Sequence, residues 1–196
     1  MNVILTGSED LRVQKTIAAI DKVIEEMLIE MDYRKITVKK LTERARINKK
    51  TFYRYYECID DLFIEKQETI ITVCLQNIES YKIPDELDKI IRAQFQFFHN
   101  KGGLYEKFFC CGPAVTGIDY SGICQITKKR YWENSSKIMS LSEESRNMLL
   151  RFINRNVIAF YRDWFYGGKK EPLEEVTETA VTLICAGVNG MIKLQL

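Results

Sequence analysis

Apolar residues recur along this chain at intervals of three and four, and no strand-like alternation persists beyond a few positions. Ile17, Ile20, Ile24, Leu28 and Met31 form one stripe, which predicts a helix over about residues 11–31. Ser8, Glu9 and Asp10 offer its cap. The stretch "DYRKIT" breaks the period, and Thr37 is then a good N-cap for a short helix over 38–45. Asn48 is another, for a helix from 49 to about 56. Leu62, Phe63, Ile70, Val73, Cys74, Ile78 and Tyr81 line a longer helix over about 60–81. Pro84 fits the first turn of the next, which runs to about 100 and stops at Gly102-Gly103. The segment "LYEKFFCCGP" reads as a short helix ended by Gly112-Pro113. Further helices are predicted over about 115–139, 143–166 and 172–194, with Gly167-Gly168 parting the last two. The expectation is an all-α chain of about nine helices.

Composition narrows the class. The 196 residues are 46% hydrophobic and 29% charged, an ordinary globular balance. No run of about 18 uncharged apolar residues occurs, so no membrane span is expected. The first residues lack a basic segment ahead of a long apolar one, which argues against a secretory signal and for a cytoplasmic protein. Cys58, Cys74, Cys110, Cys111, Cys124 and Cys185 show no CxxC or zinc-type spacing and read as free thiols, so no metal site and no cofactor are expected. The adjacent Cys110 and Cys111 make a poor disulfide and a weak redox sensor: Lys107, one turn away, is the sole neighbouring cation.

Charge changes the picture through its distribution. The chain carries a formal net charge of +2, yet nine basic residues fall between Arg34 and Arg54, with Glu43 the only acid among them. Within this stretch Val38, Leu41 and Ala45 share one helix face; Phe52, Tyr55 and Tyr56 share another, and Ile47 sits in the turn between. Two short helices held at a steep angle by such a core make a helix-turn-helix pattern. Lys49, Lys50 and Tyr53 then point outward near the start of the second helix, where a polyanion is attracted and a phenolic hydroxyl meets phosphate.

Ile36-Thr37-Val38, Leu41, Ala45, Ile47, Asn48, Thr51-Phe52-Tyr53, Tyr55-Tyr56 and Asp60-Asp61-Leu62 resemble the N-terminal pattern of the tetracycline-repressor (TetR/AcrR) family of bacterial regulators. The resemblance spans about residues 11–63, a third of the chain. It implies a helix-turn-helix DNA-binding domain over 1–58 and a helical ligand-binding and dimerisation domain over 59–196. Carried over by position, Thr37 contacts backbone phosphate and Lys39 reaches a base or a phosphate. Lys49, Lys50 and Thr51 meet base edges and nearby backbone, and Tyr53, beside Arg54, binds phosphate. The chain departs from the pattern at three places. Arg46 replaces the turn glycine, at a cost of roughly 1 kcal/mol if φ is positive. Cys58 replaces the cap of the fourth helix. Ile59 replaces a phosphate-holding lysine.

In the remaining two thirds aromatic residues concentrate, as a pocket for a small apolar or aromatic molecule requires, although core packing accounts for most of them. Phe98, His99, Phe109, Trp132, Tyr161 and Trp164 are the candidate ligand contacts. Apolar stripes along the last two helices, including Phe152 and Val157 in one and Ala180, Gly187 and Met191 in the other, fit a two-fold four-helix interface. The reading is a homodimeric transcriptional regulator, a repressor released by a small ligand, acting on a palindromic double-stranded operator. A TetR-like helical ligand-binding or adaptor protein without specific DNA contact stays open beside it. A single histidine and the lack of a nucleophile triad, phosphate loop or metal cluster weigh against an enzyme.

Overall fold

Six buried apolar residues, Ile17, Ile20, Val23, Ile24, Met27 and Leu28, line one side of the first helix, α1 (Leu11–Glu30). A computed structural model describes residues 11–111 and 135–195, and all regular structure among them is helical. A 3-10 turn over Tyr33–Lys35 leads from α1 to α2 (Val38–Arg44) and α3 (Lys49–Phe52). There follow α4 (Ile59–Asn77), α5 (Leu87–Lys101), α6 (Gly103–Cys110), α7 (Ser136–Met139), α8 (Glu143–Tyr166) and α9 (Leu173–Gln195).

Local chemistry sets these ends. Thr37 Oγ1 accepts from the Lys40 amide at 3.3 Å and Asn48 Oδ1 from the Lys50 amide at 2.8 Å, so both predicted caps act. After α2 the Ile47 amide reaches the Thr42 carbonyl at 3.0 Å and the Arg46 amide reaches Glu43 at 3.3 Å. This is a Schellman termination, and it places Arg46 at φ 53, in the region glycine favours. At α4 Asp61 accepts from the Glu57 and Cys58 amides at 2.9 and 3.1 Å, replacing the cap that Cys58 supplies poorly.

Several expected boundaries move, the end of α3 to Phe52 among them. The fourth helix stops at Asn77 rather than Tyr81, where the Asn77 side chain donates to the Val73 carbonyl at 2.7 Å and competes with the backbone ladder. Pro84 lies in the turn before α5, closed by the Glu86 amide on the Lys82 carbonyl at 2.7 Å. Ser135 is extended (φ −107, ψ 110) and caps α7 by accepting from the Ile138 amide, so no single helix runs through it to Met139. The rest of that expected helix lies outside the described residues.

Buried side chains gather in two clusters. The first joins α1, α2, α3 and the start of α4 through Ile24, Met27, Leu41, Phe52, Leu62 and Phe63. The second joins the rest of α4 to α5, α8 and α9 through Ile91, Phe95, Leu149, Tyr161 and Ile184. Helix α6 belongs to both: Phe108 packs in the first, and Phe109 and Cys110 pack in the second. Its ends are tied as well. Lys107 Nζ donates to the last carbonyls of α1, Leu28 and Ile29, at 2.7 and 3.0 Å, where a cation suits the helix dipole. Buried Gln67 of α4 donates to the Phe108 and Cys111 carbonyls at 2.5 and 2.8 Å.

Candidate functional site

The N-terminal cluster holds α3 by its inner face. Phe52 and Tyr56 are buried there, with ring centroids 5.5 Å apart, and Leu41 of α2 is fully buried in the same cluster. Helical turns continue past α3, the Tyr56 amide reaching the Phe52 carbonyl at 3.1 Å. The opposite face therefore turns to solvent. Lys49, Lys50 and Arg54 are exposed, Tyr53 is 55% exposed, and Thr51 is half-buried between them. On α2 Thr37 and Lys39 are exposed as well.

Charge pairing divides the nine basic residues. Arg34 pairs with Asp32 at 3.0 Å and Arg44 with Glu30 at 2.5 Å. The Arg34 guanidinium holds the Asp32 carboxyl down at about 2, so that pair persists into acid. Lys40 donates to the Lys35 carbonyl at 3.0 Å. No acid among the described residues pairs with Lys39, Arg46, Lys49, Lys50 or Arg54. Lys39 on α2, Arg46 in the turn after it, and Lys49, Lys50 and Arg54 on and just past α3 are thus open to a polyanion.

Ile59 does not belong to this surface. It is 8% exposed and packs into the N-terminal cluster at the first turn of α4. Where the resemblance led one to expect a phosphate-holding lysine, the side chain is thus apolar and faces inward. Tyr33 secures the same turn: its ring lies 4.5 Å from Phe63, and its hydroxyl donates to Asp60.

The second candidate site is aromatic. Phe98 and Phe109 stack with centroids 3.6 Å apart, Tyr161 meets both edge-on, and Trp164 lies 5.4 Å from Tyr161. The His99 ring is 5.9 Å from Trp164. Five of the six expected ligand residues therefore form one contiguous group; Trp132 lies outside the described residues, as do Tyr120, Tyr131 and Cys124. Phe98 and Phe109 also border a cavity of about 30 Å³ beside Cys74, Gln94, Asn154 and Val157. That volume holds about two waters.

At the centre of the aromatic group is Glu106, only 3% exposed. Lys169 Nζ lies 2.7 Å from each of its carboxylate oxygens, and the Tyr161 hydroxyl donates to Oε1 at 2.6 Å. Burial, with the carboxylate as hydrogen-bond acceptor, raises Tyr161's pKa well above the ordinary phenol value, so it remains a donor. His99 Nδ1 stands 3.9 Å from the same oxygen. The Lys169 ammonium also lies 5.2 Å from the Trp164 ring and 5.3 Å from that of Phe165. Neither Glu106 nor Lys169 was among the expected site residues. The available signal was a lone acid inside the apolar, largely aromatic run Leu104, Tyr105, Phe108, Phe109.

The thiols follow burial. It pushes Cys74 up to about 12 and raises Cys110 further. Cys111 is raised too, although its sulfur lies 2.8 Å from the Tyr166 hydroxyl. These are not activated nucleophiles.

No protein-family model matches the chain, and no curated protein matches it.

Proposed function

We propose that this protein is a DNA-binding transcriptional regulator of the TetR/AcrR type, a repressor released by a small ligand. Residues 1–58 form the helix-turn-helix head, and residues 59–196 form the effector-binding and dimerisation body. One observation carries the reading. A short helix anchored by Phe52 and Tyr56 turns Lys49, Lys50, Tyr53 and Arg54 to solvent with no acid paired to its three cations. Such a tip suits a major groove: lysines contact base edges or phosphates, and Tyr53 donates to a phosphate oxygen. Thr37 and Lys39 flank it on α2 and fix the register against the backbone.

A second copy completes the regulator. Helices α8 and α9 leave an apolar face uncovered, with Met148 58%, Phe152 38% and Leu183 56% exposed. Within the chain, Gly187 lets the Phe152 ring lie close against α9, since a Cβ there would stand 3.0 Å from it. Two such pairs pack as a four-helix interface about a two-fold axis, which presents two heads to a palindromic site. Half-sites on one face of DNA recur about every 34 Å, so a small change in head spacing releases one of them.

The inward-facing Ile59 favours one other reading, a TetR-like ligand-binding or adaptor protein without operator contact, because the first turn of α4 offers no cation to phosphate. Footprinting of the purified protein on bacterial genomic DNA separates the two. A regulator protects discrete palindromic sites and loses them in Lys49→Ala/Lys50→Ala; protection of no site refutes the regulator.

A further inference from the structure

Lys169 occupies a setting made for a cation. Both Glu106 oxygens lie 2.7 Å from its ammonium, and two aromatic rings stand near it at 5.2 and 5.3 Å. A carboxylate combined with aromatic faces is how proteins hold organic ammonium ions. The receptor groups are rigid. Glu106 is buried in α6 with Tyr161 donating to it, and the Trp164 indole donates to the Glu171 carbonyl at 2.8 Å. The occupant is less settled. The Lys169 side chain is 33% exposed, on the turn between α8 and α9. Its backbone sits at φ 54, directly after Gly168 at φ 86. A non-glycine residue in the left-handed region is disfavoured, so the contacts of the lysine head hold a conformation that the turn would otherwise leave.

We propose that Glu106, Tyr161, Trp164 and Phe165 form a receptor for a primary alkylammonium ligand, and that Lys169 is its tethered stand-in. The proposal rests on reading residues 59–196 as an effector-binding body and supplies the chemical class of the effector: an ammonium head on a slender apolar stem, entering as Lys169 swings out to solvent. Neutral and anionic molecules are disfavoured in the place of Lys169, because either would leave a buried carboxylate without a counter-charge. Glu106 is followed on α6 by Lys107, bound to the end of α1, and by Phe108 in the N-terminal cluster. A change of occupant therefore acts on the helix that joins head and body.

The test is calorimetric titration of n-butylammonium chloride into the full chain without DNA, in the parent, in Lys169→Ala and in Lys169→Ala/Glu106→Gln. Lys169→Ala is expected to bind one equivalent at least tenfold more tightly than the parent, since a tethered competitor acts at millimolar effective concentration. The double variant and the control n-butanol should give no binding heat. A second measurement does not depend on the folding of Lys169→Ala. With Trp132→Phe, Trp164 is the sole indole, and its emission should change saturably with butylammonium but not with sodium chloride. Equal responses to the two salts, or equal affinity in parent and Lys169→Ala, would overturn the proposal. Failure to bind butylammonium by a chain that still holds operator DNA sinks this inference alone. Binding of butylammonium by a chain that protects no DNA sinks the regulator reading and leaves the receptor standing.

Discussion

Two regions of this molecule treat charge in opposite ways. Around α3 the apolar side chains go inward, and Lys49, Lys50 and Arg54 stay in water without acidic partners. Around α6 a single carboxylate is buried among aromatic rings, with a lysine bonded to both its oxygens. An exposed cation costs little and remains available to a distant polyanion. A buried carboxylate is tolerated only with its partner in place, which makes it sensitive to what that partner is. The first arrangement suits recognition of a large charged surface, the second discrimination among small ones.

Substitutions can sharpen this contrast. The largest stability effect belongs to the body. Lys169→Ala leaves Glu106 buried without its counter-charge, and the expected loss is about 3 kcal/mol, the low end for a broken buried pair because the lysine is partly exposed. Urea unfolding checks this, and a loss below about 1 kcal/mol would place Glu106 in effective contact with water. In the head, Lys49→Ala/Lys50→Ala should weaken DNA binding by about 2 kcal/mol while the unfolding midpoint stays put. A falling midpoint would show that these lysines support the fold.

Ile59→Lys probes the boundary between the regions. From the family pattern alone, a lysine here should tighten DNA binding. Because Ile59 packs inward, the expected outcome is instead a stability loss of about 1–2 kcal/mol with no steeper salt dependence. Smallest is Arg46→Gly, which relieves a left-handed arginine and should stabilise by about 0.5 kcal/mol after glycine's extra unfolded-state entropy is subtracted. No gain in thermal midpoint would mean that the arginine makes a compensating contact.

The helix ends around α2 and α3 were legible in sequence because their signals are local. Thr37 and Asn48 cap where their side-chain oxygens allow, and Arg46 takes the backbone angle its place in the turn demands. Each depends on neighbours a few residues away. The inward turn of Ile59 was not legible, since it depends on Tyr33 and Phe63 packing against the same first turn of α4. Farther along the chain, periodicity located α8 and α9, and composition marked out the aromatic residues, but neither gave the Glu106–Lys169 pair. Its members stand 63 positions apart, and only the folded chain joins them. The Pro84 turn and the start of α7 moved for a related reason: short side chain and turn contacts at Glu86 and Ser135 outweighed the average period.

In the proposed function the α3 tip meets DNA through unpaired cations. Fluorescence anisotropy of a labelled duplex, titrated with parent and Lys49→Ala/Lys50→Ala protein between 50 and 200 mM salt, tests it most directly. Parent affinity should fall steeply with salt, and the double variant should lower the logarithmic slope by about two units. Parallel slopes, or a parent that ignores salt, would contradict it.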